Sequence, residues 1–167
     1  MLQDEIRKKN PFDAPEEEAY LNLLRTAGVL VADFERLFKD HGISEPKYNV
    51  LRILRGAGGD GLPCLEIAGR MITRVPDITR LVDRLETQGL VRRHRTDRDR
   101  RVVLVSVTDK GLKVLADLDE PTVRLSREQL RHMTPAELAD LSRLLAKARE
   151  RPGGEGPAAT NAGTNGE

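Results

Sequence analysis

The stretch ITRLVDRLETQGLVRRHRTDRDRRVVLVSVTDKG, residues 78–111, decides the fold. Its first part has apolar residues at helical spacing and ends at Gly89. Six arginines then lie between Arg92 and Arg101, and a run of β-branched and apolar residues follows from Val102. The stretch therefore predicts a helix, a strand, a polar turn and a second strand, in that order.

The predicted helix has one apolar and one polar face. Four apolar residues share the inward face, namely Ile78, Leu81, Val82 and Leu85. The opposite face carries the candidate DNA-reading side chains Arg74, Asp77, Arg80 and Arg84. A shorter helix around Ile67 precedes it, with a break at residues 71–73. Two helices joined by a short turn form a helix-turn-helix, whose second helix lies in the major groove of DNA.

The two strands after this helix predict a hairpin with an arginine-rich tip. A hairpin directly after a helix-turn-helix is a wing, and arginines on a thin loop enter a minor groove, where the potential is negative. The candidate wing residues are Arg95, Arg98, Asp99, Arg100 and Arg101. Phosphate repels a carboxylate, so we expect Asp97 and Asp99 to pair with neighbouring arginines and hold them in position. A turn that serves only solubility is the alternative.

The charge of the chain is uneven. Its net charge is only +1, yet residues 70–101 hold ten arginines against five acidic residues. A localised basic region is typical of a protein that binds a polyanion. All five aromatic residues lie outside this region, whereas binders of single strands stack bases on aromatic side chains. Double-stranded DNA is therefore the predicted partner.

A long helix is predicted at residues 15–41, where apolar residues form two adjacent stripes. This face is wider than one neighbour would cover, so we expect contact with a second subunit, with burial in the same chain as the alternative. The C-terminal helices share this apolar character. The candidate dimerisation residues are Leu23, Leu30, Phe34, Leu141 and Leu145.

Local signals place the C-terminal helices. Thr108 is a candidate cap for a helix that Pro121 is expected to interrupt or kink. In TPAEL, Thr134 and Glu137 have the spacing of a capping box. Ser44 is a candidate cap for a short helix before the helix-turn-helix.

These elements predict one mainly α-helical fold with a small β-hairpin wing, a winged helix-turn-helix with dimerisation helices from both termini. Its predicted parts are a flexible segment at 1–14, the long helix at 15–41, a DNA-binding lobe at 42–107, C-terminal dimerisation helices at 108–150 and a disordered tail at 151–167. Neither a signal peptide nor a membrane span is predicted, so we expect a cytoplasmic protein.

The sequence resembles the MarR family of bacterial transcriptional regulators. The resemblance covers about residues 15–149 and is sharpest in ITRLVDRLETQGLVRR, in DRR at 99–101 and in VSVTDKG. It implies a symmetric homodimer that places two winged helix-turn-helix lobes on a pseudo-palindromic operator. It also implies regulation, typically repression, that responds to a small aromatic or phenolic effector bound in a crevice between the dimerisation helices and the lobe.

The resemblance also assigns roles to residues. It places Arg74, Asp77, Thr79 and Arg80 on the recognition helix, and it matches Asp99 and Arg101 to the wing's aspartate and to the arginine that reaches the minor groove. One departure is the Val-Pro-Asp sequence at residues 75–77, where many members have small hydroxyl residues. This departure leaves the base preference open.

Other functions have weaker signals. A redox-sensing regulator would use Cys64, the single cysteine, but its apolar neighbours favour an inert side chain, and peroxide-sensing relatives carry their cysteine in the first helix. His41, His94 and His132 lack a metal-ligand spacing, so no metal or other cofactor is expected. A winged helix that binds only proteins would not need the arginines, and no catalytic motif points to an enzyme.

Overall fold

The computed structural model describes residues 2–95 and 101–150, and the chain divides into two compact units, Met1–Leu125 and Ser126–Glu167. The first unit begins with helices α1 Leu2–Glu5, α2 Pro15–Asp40, α3 Glu45–Ala57, α4 Cys64–Arg70 and α5 Ile78–Thr87. Strands β1 Val91–Arg95 and β2 Val103–Val107 follow, and then helices α6 Asp109–Gln129 and α7 Pro135–Arg149. The described residues thus form a mainly α-helical fold with one small hairpin, as predicted.

Helix α2 has clear signals at both ends. Pro15 occupies its first turn together with three glutamates, which suit the positive end of the helix dipole. Its last turn is buried at Phe38, whose ring centroid lies 4.6 Å from that of Tyr48 on α3. Gly42 follows with a φ of 68°, a conformation that glycine adopts without strain, and the chain turns into α3. Ser44 stands at the N-cap of α3 as predicted, but its side chain makes no capping hydrogen bond.

The core of the first unit lies between α3, α5, the hairpin and α6. Its fully buried side chains are Val50, Leu51, Leu54, Ile67, Val82, Leu85, Val105, Leu115 and Leu118, each 0% exposed. Burial of one such side chain stabilises a fold by roughly 1.5–3 kcal/mol. Helix α5 therefore rests on a continuous apolar layer.

The hairpin is antiparallel, with Val91 opposite Val107 and Arg93 opposite Val105. A third segment joins it, because Leu62 and Val105 exchange both backbone hydrogen bonds at 2.9 Å. Gly61 makes this approach possible: a Cβ atom there would collide with the Val105 carbonyl. The sequence did not indicate this bridge, which connects the helix-turn-helix to the wing.

Two further predictions concern the first unit. The first fourteen residues contain α1, with Leu2 only 3% exposed and Glu5 paired with Arg25 of α2 at 2.8 Å, and the flexibility of this segment stays a prediction. Pro121 does not interrupt α6, which continues as a helix through it, and the alternative of a kink at Pro121 stays a prediction. A proline inside a helix costs roughly 3 kcal/mol. The buried Leu115 and Leu118 in the preceding turns offset this cost through packing.

The second unit holds the end of α6 and all of α7. Thr134 Oγ1 accepts a hydrogen bond from the Glu137 N–H at 3.3 Å, and the Glu137 carboxylate accepts one from the Thr134 N–H at 2.8 Å, which confirms the capping box. Residues 151–167, predicted to be a disordered tail, lie outside the described residues. Among the described helices, none is long and apolar enough to cross a membrane.

Candidate nucleic-acid interface

Helix α5 has the predicted orientation. Val82 and Leu85 are fully buried, and Ile78 and Leu81 pack against the core from partly buried positions. The residues on the opposite face are exposed, namely Thr79, Arg80, Asp83 and Arg84. This helix therefore presents a polar surface with two arginines to the outside of the lobe.

The start of α5 differs from the prediction. Arg74 and Asp77 were assigned to the helix face, but the helix begins at Ile78. Pro76 provides the physical reason, because proline disfavours helical backbone at the residue before it. Asp77 is the N-cap, and its Oδ1 accepts a hydrogen bond from the Arg80 N–H at 2.9 Å. The carboxylate thus stabilises the first turn, and Arg74 lies exposed in the loop before it.

A hydrogen bond to α3 connects the same loop to the core. Asn49 on α3 is only 5% exposed, and its Oδ1 accepts a hydrogen bond from the Ile72 N–H at 3.0 Å. Since a buried amide without a partner would be costly, this bond fixes the turn of the helix-turn-helix to α3.

The C-terminal end of α5 is held by residues from two other helices. Lys47 of α3 donates to Gln88 Oε1 at 3.0 Å, and Lys110 of α6 donates to the Gln88 carbonyl at 2.8 Å. Positive charges at this end also complement the helix dipole. Thr108, predicted as a helix cap, accepts from the Gly111 N–H at 3.2 Å and donates to the Gly89 carbonyl at 2.7 Å. Both ends of α5 are therefore fixed.

The structure describes the wing at residues 91–95 and 101–107. Arg95 ends β1 and Arg101 precedes β2, and both side chains are exposed. The candidates Arg98, Asp99 and Arg100 lie outside the described residues, and so does the predicted pairing of Asp97 and Asp99 with arginines.

Arg93 of β1 connects the wing to α5, a contact that was not predicted from the sequence. Its guanidinium turns back to α5, where Nη1 donates to Glu86 Oε2 at 2.5 Å and Nη2 to Asp83 Oδ1 at 2.6 Å. Partial burial opposes the charged form, but the hydrogen bonds to Asp83 and Glu86 prevail and raise the pKa of Arg93 above its ordinary value. The spacing of Asp83 and Glu86, one turn apart on α5, was the available signal.

The candidate dimerisation residues lie in different surroundings. Leu23 on α2 is 44% exposed, whereas Leu30 and Phe34 are half-buried, and Phe34 packs against the core of its own chain. Leu141 and Leu145 on α7 are half-buried as well. The exposed apolar stripe of α2 also contains Tyr20, Leu24 and Val31.

Side chains with other possible chemistry are scattered. Cys64 begins α4 and packs, half-buried, against the apolar core. Within residues 2–95 and 101–150, no three or more His, Cys, Asp or Glu residues are grouped closely enough to hold a metal ion. The arginine-bearing surface of α5 and the wing is the feature with a clear chemical use, because guanidinium groups bind phosphates and base edges.

Comparison with known proteins identifies the family of this chain. The sequence model of the MarR family matches residues 43–103, which run from the turn after α2 to the first residue of β2. The chain is 30% identical over 142 residues to the HTH-type transcriptional repressor IacR of Pseudomonas putida, covering 85% of this chain and 80% of the relative. The chain belongs to the MarR family. It is a DNA-binding transcriptional regulator with a winged helix-turn-helix.

Solved structures of other transcriptional regulators have the same fold. The MarR transcription factor from Planctomyces limnophilus is 44% identical, with a TM-score of 0.62, and the match covers 82% of this chain and 99% of the other. The organohalide-sensing regulator RdhR with bound 2,4-dichlorophenol is 20% identical, with a TM-score of 0.74, and the match covers 85% of this chain and 86% of the other. The second likeness concerns the fold alone.

Proposed function

We propose that this MarR-family regulator acts as a homodimeric repressor in the cytoplasm, and that each subunit reads one half of a pseudo-palindromic operator. Helix α5 lies in the major groove, with Thr79, Arg80 and Arg84 toward the DNA, while Arg95 and Arg101 of the wing approach the adjacent minor groove. The observation that carries the proposal is the fixed, polar outer face of α5 beside the exposed wing arginines.

Arg80 provides the test of this arrangement. Its side chain is exposed in the first turn of α5, and the Asp77 cap fixes its backbone. If Arg80 reads a base, Arg80→Ala should weaken operator binding by roughly 1–3 kcal/mol and relax the preference at one position of each half-site. Titration on operator and on random duplex separates this result from loss of a phosphate contact, which weakens both alike.

The control for Arg80 is Arg36→Ala. Arg36 lies on α2, where its side chain is 73% exposed and pairs with Asp33 at 3.4 Å. This variant loses the same charge away from α5, so operator binding should stay near that of the parent. If Arg80→Ala binds operator and random duplex like the parent, α5 does not face DNA and the proposed arrangement is wrong.

Arg101 tests the wing. We expect Arg101→Ala to weaken operator binding, because a guanidinium in a narrow minor groove interacts with strong negative potential. Asp99→Ala should also weaken it if Asp99 orients Arg101, although the loss of a negative charge alone would tighten binding. Binding isotherms at one fixed salt concentration measure both changes. Tighter binding by Asp99→Ala would contradict the orienting role.

A small aromatic or phenolic effector is the proposed signal. The fold is shared with RdhR, which binds 2,4-dichlorophenol. A cleft of about 360 Å³ lies where the ends of α2 and α5 meet the start of α6, with apolar Ile43, Leu90 and Val114 and polar His41, Gln88 and Lys110. A panel of phenols, titrated into the protein–operator complex, should contain compounds that release the DNA at saturable concentrations. If no compound in the panel binds or releases operator, the effector class is wrong.

A further inference from the structure

Arg93 lies among the wing arginines but does not share their exposure. Its side chain is 25% exposed, and its guanidinium is held between Asp83, 2.6 Å away, and Glu86, 2.5 Å away. One donor of each terminal nitrogen of this guanidinium binds a carboxylate of α5, in charge-assisted hydrogen bonds. Arg93 is therefore directed toward α5 rather than outward.

Glu86 accepts two hydrogen bonds from Arg93, one from its side chain and one from its backbone. Its Oε2 accepts from the Arg93 side chain, and its Oε1 accepts from the Arg93 backbone N–H at 2.9 Å. Only the short connection through Gly89, which has a φ of 70°, separates α5 from β1. Asp83, Glu86 and Arg93, the helix–wing cluster, thus fix the first strand of the wing against the recognition helix.

We infer that Arg93 is a positioning residue for DNA binding, whose ion pairs with Asp83 and Glu86 hold the wing at the angle from which the wing and α5 reach one half-site together. The inference rests on the proposed function. Two linked contacts bind cooperatively only if their connection holds them at the right separation. A prearranged wing also loses less conformational freedom when it binds, which lowers the cost of docking.

A direct phosphate contact by Arg93 is the competing role, and the salt dependence of binding distinguishes the two. Each arginine that neutralises a phosphate contributes about 0.9 to the slope of log affinity against log salt. Replacing a positioning residue should instead lower the affinity and leave the slope of log affinity against log salt unchanged. The control is Arg95, which lies on the same strand with an exposed side chain.

The first experiment compares Arg93→Gln with Arg95→Gln on operator duplex at several salt concentrations. We expect Arg93→Gln to weaken binding about three- to thirty-fold with the slope of the parent. Arg95→Gln should reduce the slope by about 1 if it meets a phosphate. The inference is overturned if a folded Arg93→Gln protein loses as much slope as Arg95→Gln, or if it binds as the parent does.

Glu86→Gln is the second variant, and it keeps the inference testable if Arg93→Gln does not fold. It leaves an oxygen for the Arg93 N–H but removes a negative charge near DNA. Electrostatics alone predicts tighter binding, whereas loss of the ion pair predicts weaker binding. Glu120→Gln is the control, since Glu120 forms an exposed ion pair with Arg124 on α6. Binding by Glu86→Gln as tight as that of the parent, or tighter, would overturn the positioning role.

The third measurement concerns the coupling between the wing and α5. Arg101→Ala should reduce operator affinity more in the parent than in the Glu86→Gln background, because a loosely held wing contributes less to binding. Equal costs in both backgrounds argue against the inference. Failure of the proposed function looks different, because the parent would then show no preference for operator and Arg80→Ala would have no effect. Thermal unfolding and sedimentation of each variant confirm that fold and assembly are unchanged.

Discussion

Helices α2 and α5 are both amphipathic, but their apolar faces end in different surroundings. The inward residues Val82 and Leu85 of α5 are 0% exposed, so its apolar face is covered by its own chain. On α2, Tyr20 is 60%, Leu24 52% and Val31 45% exposed. Two helices with a similar sequence pattern therefore expose different surfaces: α5 exposes its polar face, whereas α2 exposes part of its apolar face.

This difference separates two kinds of binding. A polar, arginine-bearing face suits the phosphates and base edges of DNA. A contiguous exposed apolar stripe on a protein of this size marks a protein interface, because its contact with water is unfavourable. In the proposed dimer, α2 covers its stripe with the second subunit, and α5 meets the operator.

The largest expected effect tests the exposed stripe of α2. Leu24→Glu places a charge in the proposed interface, where desolvation without a partner costs roughly 3–5 kcal/mol. Because Leu24 is half-exposed within its own chain, the fold of the subunit should survive. We expect a folded monomer at micromolar concentration in sedimentation, with weak operator binding.

Val29→Glu is the matched control for this change. Val29 is 66% exposed on the same helix, but it points away from the stripe of Leu24 and Val31. This variant should remain a dimer. If the parent itself is a folded monomer, or if both variants dissociate alike, the stripe is not the dimer interface.

The next largest expected effect concerns α5, the second helix of the comparison, and tests the contribution of its N-cap to stability. Loss of a capping side chain costs about 1 kcal/mol, so Asp77→Ala should lower the free energy of unfolding by that amount. Asp77→Ser keeps an acceptor for the Arg80 N–H and should restore most of the stability. Urea unfolding of both variants measures this.

Operator selection decides whether Asp77 also reads a base. A capping role predicts that Asp77→Ser keeps the base preference of the parent. A changed preference with unchanged stability would show instead that Asp77 contacts DNA, as the family resemblance implied.

The sequence predicted those features that depend on local pattern. The spacing of Ile78, Leu81, Val82 and Leu85 gave the correct phase of α5, and Thr108 and Thr134 were correct helix caps, because caps depend on nearby backbone groups. The predicted start of α5 was wrong because the helical face pattern was extended back to Arg74, although Pro76 disfavours helical backbone at Val75 and Asp77 caps the helix instead.

Contacts between distant segments were harder to predict. The bridge between Leu62 and Val105 has no alternating pattern around Leu62 to signal it. Arg93 looked like any other wing arginine, since residue type does not tell whether a side chain meets solvent or a carboxylate on a neighbouring element. The contacts that hold α5 and the wing together required the three-dimensional structure.

The smallest expected effect concerns the polar contact between the lobe that carries α5 and helix α6. Arg55 of α3 donates to both oxygens of Asp119 at 2.8 Å, and this hydrogen bonding lowers the pKa of Asp119 below its ordinary value of 3.8. A lowered pKa in the folded state means that the pair stabilises the protein above pH 3.8 and that this contribution is lost as the pH falls further.

Asp119→Asn should therefore lower the free energy of unfolding by at most about 1 kcal/mol at pH 7, because the pair is partly exposed, and this loss should shrink in acid. Urea unfolding of parent and variant between pH 7 and pH 3 measures the difference, and Asp117→Asn controls for the loss of a carboxylate from the same helix. A difference that grows as the pH falls would mean that Asp119 stabilises the fold by something other than its charge.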